Sequence, residues 1–239
     1  MIPRTIHYCW FGRGAMPELA LRCLDSWRRH MPDCAIVQWD ENTFDVNRVA
    51  YTREAYRLRK YAYVSDYARL WVLYHHGGIY LDTDVELLRP LDDMLQRGAF
   101  MGRERPERAD DPALHCAMGL GVACGPGNPF VKRLLDHYSA MHLVSRTGKM
   151  GDTIVAITGR LLEGEPQEPF DDGIVRCAGF NIYPWPWLCP RNYFTGALDR
   201  RPETHAIHHY AASWVDDLAH ETWLDKLRRR AQAALVRLT

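Results

Sequence analysis

Apolar residues along the chain fall into short continuous runs, separated by stretches where they recur at helical spacing. Residues 4–12, "RTIHYCWFG", form one such run and end in a glycine turn, which predicts a buried first strand. Leu19, Leu21, Leu24 and Trp27 then repeat with the period of a helix over Glu18 to His30, and the pattern stops short of Pro32. A second apolar run, "CAIVQWD" at 34–40, makes the opening β-α-β, the usual sign of a parallel sheet. The spacing next predicts one long helix over about residues 52–74, closed by Gly77-Gly78, and then a strand bearing "GGIYLDTDVE".

Later signals are weaker. Residues 118–130 read as an apolar strand running into a Gly/Pro turn, with a helix from Pro129 to about Met141 and another after Gly151-Asp152. The charge- and proline-dense residues 103–112 predict a surface loop. Residues 180–191, rich in proline and tryptophan, predict ordered loop without regular structure. The expectation is one α/β domain over residues 1–217 with an irregular last third. A basic amphipathic helix follows over 218–239, its stripe formed by Leu224, Leu227, Ala231, Leu235 and Leu238. That helix is expected to dock on the domain, with peripheral contact to a membrane as the alternative.

Composition sets the bounds. At 239 residues and 47% hydrophobic, the chain can bury a core of its own. A formal net charge of zero gives nucleic acid no global attraction, and no segment has about 18 uninterrupted apolar residues. Seven cysteines without a CxxC pair point to reduced thiols and a cytoplasmic setting, at the inner face of the membrane if the tail helix touches it. The first residues lack the charged-then-apolar order of a signal peptide.

The candidate chemistry centres on Asp82 and Asp84. In an extended strand Tyr80, Asp82 and Asp84 would share one face, while Ile79, Leu81 and Val85 share the buried one. Adjacent carboxylates repel unless a cation neutralises them, and the carboxyl ends of parallel strands are where α/β proteins bind ligands. Asp66 and Arg69, three apart on the predicted helix, lie on one face and could be an ordinary surface ion pair. Asp82 and Asp84 also fit the D-x-D-x-[TV] pattern of haloacid-dehalogenase-like phosphatases, but that pattern belongs on a first strand and needs later partners. An EF-hand loop is excluded because its sixth position is not glycine.

Read outward from the pair, residues 59–95 ("RKYAYVSDYARLWVLYHHGGIYLDTDVELLRPLDDML") resemble the signature block of the DXD sugar-binding-region glycosyltransferases. That family includes bacterial capsular and Golgi mannosyl transferases, and the catalytic domains of large glucosylating toxins are similar. "IPRTIHYCWFG" at 2–12 and "HHYAASW" at 208–214 resemble its opening and closing blocks. The resemblance implies a GT-A-type fold with a mixed, mainly parallel sheet between helices. It implies retaining transfer of a hexose from a nucleoside-diphosphate sugar, a UDP-sugar or GDP-mannose, aided by Mn2+ or Mg2+. The acceptor would be a glycan or lipid-linked glycan of a bacterial surface polysaccharide or capsule. A protein-modifying effector and a non-catalytic sugar-nucleotide binder are the alternatives.

By the same resemblance Asp84 and a C-terminal histidine hold the metal, with His209 preferred over His208, and Asp82 contacts metal or ribose. Asp66 and Arg69 would contact sugar, ribose or diphosphate. Trp10 would stack on the base, Tyr80 would donate to phosphate or sugar, and Ser213 and Trp214 would close over the diphosphate. Such retaining chemistry needs no protein nucleophile. One departure is Thr158-Gly159-Arg160, where many relatives place proline after the glycine.

Overall fold

The computed structural model describes residues 1–106, 113–145 and 150–211. The tail helix, Ser213, Trp214 and most of the 103–112 loop therefore lie outside the described residues. The predicted opening holds: β1 (Thr5–Cys9), α1 (Glu18–His30) and β2 (Ala35–Trp39), with β1 and β2 paired in parallel.

The long helix divides in two. Arg59 takes a left-handed φ of 57°, and the amide of Lys60 reaches back to the carbonyl of Ala55, so α2 (Ala50–Arg57) ends and α3 (Tyr61–His76) restarts. Apolar periodicity does not record this break, and the two helices pack against each other. Gly77 then stops α3, and Gly78 follows, both at positive φ. A Cβ at either would lie 2.7 Å from Pro126 or from the Thr5 carbonyl, so these glycines let α3 turn directly into the sheet.

The remaining elements are β3 (Gly78–Tyr80), β4 (Val85–Leu87), α4 (Asp92–Gln96), β5 (Phe100–Gly102), β6 (Val122–Cys124), α5 (Pro129–Ser139), α6 (Ile154–Glu163), β7 (Gln167–Pro169), β8 (Val175–Cys177), β9 (Phe180–Tyr183), α7 (Trp185–Leu188) and β10 (Ala206–His208). Asn128 caps α5 by accepting from the amides of Phe130 and Val131, with Pro129 in the first turn. The main sheet runs β2-β1-β3-β6-β5-β9-β8-β7. Its pairings make β2, β1, β3, β5, β9 and β7 point one way and β6 and β8 the other. This is the expected mixed sheet, mostly of one direction, with helices on both faces. Residues 180–183 correct the loop reading: they form a fully buried strand beside β5, because Phe180 and Ile182 fill one face and Tyr183 the other.

One face carries the core under α2, α3, α5 and α6. The opposite face carries the core under α1 and α7, including Ile79, Leu81 and Val85 as expected. A separate two-stranded sheet pairs β10 antiparallel to β4. Among the described residues no helix is long and apolar enough to cross a membrane.

Candidate metal and sugar-nucleotide site

Strand β3 ends at Tyr80, which faces the α3 side of the sheet, and Asp82 follows it onto that side. The two aspartates do not share one strand, as an extended reading would have it. The amide of Val85 donates to the carbonyl of Asp82 at 3.0 Å, so a turn carries the chain over to β4 and presents Asp84 from beyond the strand end. Helix α1 holds the far side of that turn. Its Trp27 indole donates to the Val85 carbonyl at 2.7 Å, and its Ser26 hydroxyl accepts from the Leu87 amide at 2.9 Å.

Asp66 and Arg69 do lie on one face of α3, with Arg69 Nη2 3.1 Å from Asp66 Oδ1, but this is no surface pair. Both are buried, and Arg69 Nη2 also lies 3.3 Å from Asp82 Oδ1. The guanidinium sits over the Tyr80 ring at 4.9 Å, and its Nε donates to the Ser65 carbonyl. Arg69 is thus occupied by its own chain. These contacts hold Arg69 against Asp82, the residue next to which a donor contact is expected of it. The Tyr80 hydroxyl donates to Asp82 Oδ1 at 3.1 Å, and the residue is buried. Burial works against the Arg69 charge, but Asp82 and Asp66 outweigh it and raise its pKa further. Burial pushes the Asp66 carboxyl up to about 6, although Arg69 pulls the other way.

Gly119 was not legible as a site residue. A Cβ there would stand 1.8 Å from Asp82 Oδ2 and 2.9 Å from Arg69 Nη1. Its carbonyl also accepts from the Asp82 amide at 2.9 Å, so only glycine lets the 118–121 segment close on the pair. The repeated glycines of "MGLGVACG" were its one sequence signal.

The histidine beside the aspartates is His208, which corrects the preference for His209. His208 Nε2 lies 3.2 Å from Asp84 Oδ1, whereas His209 Nε2 meets Glu86 Oε2 at 2.9 Å. The cause is register: β10 sets His208 opposite Val85, and the His209 amide donates to the Asp84 carbonyl, turning its ring aside. Burial would raise the Asp84 carboxyl, but His208 and the Ala211 amide hold it at about 2. Burial likewise disfavours charge on His208, and Asp84 reverses this to lift its pKa well above the usual value.

Asp82, Asp84 and His208 each offer a ligand atom, and these atoms lie within 4.8 Å of one another. Two carboxylates and an imidazole are a donor set that fits Mn2+ and, less well, Mg2+. The His208 Nδ1 is buried, with no hydrogen-bond partner of ordinary geometry among the described residues, and the Cys189 thiol stands near the ring. Trp10 stands at the carboxyl end of β1, partly exposed, with its indole donating to the Gly14 carbonyl at 2.7 Å. Ser65 bonds within its own helix, to the Tyr61 carbonyl.

With this geometry the comparisons with known proteins can be placed. Residues 17–101 match the model described as "Glycosyltransferase sugar-binding region containing DXD motif". That stretch holds Asp66, Arg69, Asp82 and Asp84, the residues on which the sequence resemblance rests. It is 32% identical over 111 residues to inositol phosphoceramide mannosyltransferase 1 of Schizosaccharomyces pombe, an alignment covering 42% of this chain and 33% of that protein. The chain thus spans about a third of that relative's length. Among solved structures, PaToxG glycosyltransferase is 21% identical with a TM-score of 0.40, over 56% of this chain and 59% of that one. The galactosyltransferase LgtC, solved with donor and acceptor sugar analogs, is 13% identical with a TM-score of 0.46, over 96% and 95%.

Proposed function

We propose that this chain is a metal-dependent glycosyltransferase of GT-A type that moves a hexose from a nucleoside-diphosphate sugar to a hydroxyl of a glycan or glycolipid. One observation carries the reading: Asp82 and Asp84, inside the matched sugar-binding region, converge with His208 from beyond it, beside a buried arginine at the carboxyl end of β3. Bound there, a divalent cation supplies electrostatic stabilisation of the charge that develops on a departing diphosphate. The chain's own residues prepare that place. Arg69 and Tyr80 fix the Asp82 carboxylate, and Gly119 leaves room for it. Asp84 receives the Ala211 amide on one oxygen and His208 on the other. Binding a cation requires a neutral His208 imidazole, so the Asp84–His208 ion pair must give up its proton.

The mannosyltransferase name of the yeast relative supports mannose as the transferred sugar, with UDP-hexoses as the other donors to test. Its named acceptor supports a lipid-borne polyol or glycan, which a surface-polysaccharide acceptor would share. Seven free cysteines agree with a cytoplasmic setting, where sugar nucleotides are at hand.

Release of nucleoside diphosphate from UDP-glucose, UDP-galactose, UDP-N-acetylhexosamines and GDP-mannose, with Mn2+ and with EDTA, tests the proposal. One donor should turn over with metal only, and Asp84→Asn should slow it at least about a hundredfold. No turnover of any donor, together with no Mn2+-dependent rise in melting temperature, defeats the enzyme reading.

A further inference from the structure

From the metal group a short ladder of aromatic rings runs outward to solvent. His208 meets Tyr210 edge-on at a centroid distance of 4.3 Å, Tyr210 meets Tyr193 at 5.1 Å, and Tyr193 meets Phe194 at 5.3 Å. Tyr193 is 50% exposed and Phe194 65%. Six large apolar side chains are exposed among the described residues, and three of them (Tyr193, Phe194 and Leu198) belong to one loop over 191–198. A lone exposed apolar side chain needs no explanation, but three gathered on one loop do.

The loop is built rather than slack. A bridge between Arg191 and Leu198 closes it, the Asn192 amide donates to the Ala197 carbonyl, and the Gly196 amide donates to the Asn192 carbonyl. The Asn192 side chain accepts from the amides of Phe194 and Thr195, and Arg191 Nη1 donates to the Gly196 carbonyl. Tyr210, the inner rung, sits at a left-handed φ of 52°, a conformation that costs energy for an aromatic residue. Its hydroxyl lies 2.9 Å from the Cys189 sulfur, which helps hold it there. Strain of this kind persists where the surroundings enforce it, and it gathers at functional sites.

We propose that Tyr193 and Phe194, backed by Tyr210, are the platform on which the acceptor rests, and that the acceptor part they hold is a pyranose ring. The inference rests on the transferase reading above and names a second substrate's place within it. A pyranose has an apolar face of C–H groups carrying slight positive charge, which complements the negative face of an aromatic ring. Rings on a pre-ordered loop also lose little freedom when a ligand docks, so modest contact suffices. The ladder's inner end is His208, which joins the platform to the Asp84–His208 pair.

The full chain and the double variant Tyr193→Ala/Phe194→Ala are compared by saturation-transfer NMR. The probes are methyl α-D-mannopyranoside, methyl β-D-glucopyranoside and methyl β-D-galactopyranoside. Donor hydrolysis, melting temperature and co-sedimentation with phosphatidylcholine–phosphatidylglycerol vesicles are measured in parallel. At least one glycoside should bind the natural chain and bind the variant at least about tenfold more weakly, with donor hydrolysis and melting temperature unchanged. Equal affinity in both proteins, or no glycoside binding by the natural chain, overturns the platform. Vesicle binding lost while glycoside binding stays overturns it in favour of a membrane surface. Glycoside binding lost in the variant while the natural chain turns over no donor upholds the platform and defeats the transferase reading instead.

Discussion

Strands β1 and β3 bury polar side chains near both ends, and the two ends treat them differently. At the amino end of β3 the His7 ring is satisfied and uncharged: its Nδ1 accepts from the Trp39 indole at 3.1 Å, which leaves Nε2 to donate to the Gly77 carbonyl at 3.1 Å. At the carboxyl end Arg69 lies between Asp66 and Asp82, with the Asp84–His208 pair beyond the turn. The first arrangement closes on itself and asks for nothing more. The second packs two carboxylates around one guanidinium and leaves Asp82 partly open, a layout that costs stability unless something else uses it. Burial of polar groups therefore marks function here only where charge is left over.

The largest test of that contrast is Arg69→Met. It strands Asp66 and Asp82 together in a buried setting and should lower unfolding free energy in urea by about 3–5 kcal/mol. A loss below about 1 kcal/mol would mean the charged end is no more costly than the neutral one.

Next is the neutral end. Burial depresses the His7 pKa from 6.5 to about 4, assisted by His76. Below 6.5 the unfolded chain takes up a proton that the folded chain refuses. The contribution of neutral His7 is therefore full above pH 6.5 and lost as pH falls towards 4, amounting to at most about 3 kcal/mol. Melting temperature against pH should fall over that window, and more shallowly in His7→Gln. Parallel curves would show that His7 is not the group responsible.

Gly119→Ala comes third, because the added methyl meets Asp82 and Arg69 together. About 1–3 kcal/mol of stability should go, with donor turnover lost more completely than the stability change explains. Unaltered turnover would show that Asp82 can move aside. The smallest effects separate the neighbouring histidines. His208→Ala should weaken Mn2+ binding at least about tenfold, while His209→Ala loses only a partly buried contact with Glu86 and should stay within about twofold. The reverse order, read by calorimetric titration with Mn2+, would restore His209 as the ligand.

Much of the frame was legible because it follows from local periodicity. The β-α-β opening, the stop at Gly77-Gly78, the inward face of Ile79 and Leu81, and the i, i+3 pairing of Asp66 with Arg69 all depend on residues close in sequence. What stayed hidden depends on distant register. His208 is chosen over His209 by how β10 lies against β4, and Gly119 matters because β6 brings its segment against Asp82. Arg59 broke the long helix through a single left-handed residue that hydrophobic spacing does not record. The strand at 180–183 was obscured by the prolines and tryptophans after it, which belong to α7.

The pairing of β10 with β4 also sets an order of events during synthesis. Among the described residues every strand of the main sheet lies at or before Tyr183, so those strands can pair before His208 leaves the ribosome. Until then Asp84 lacks both its imidazole and the Ala211 amide. A nascent chain that has not yet extruded residues 206–211 would hold Asp84 without either of these partners.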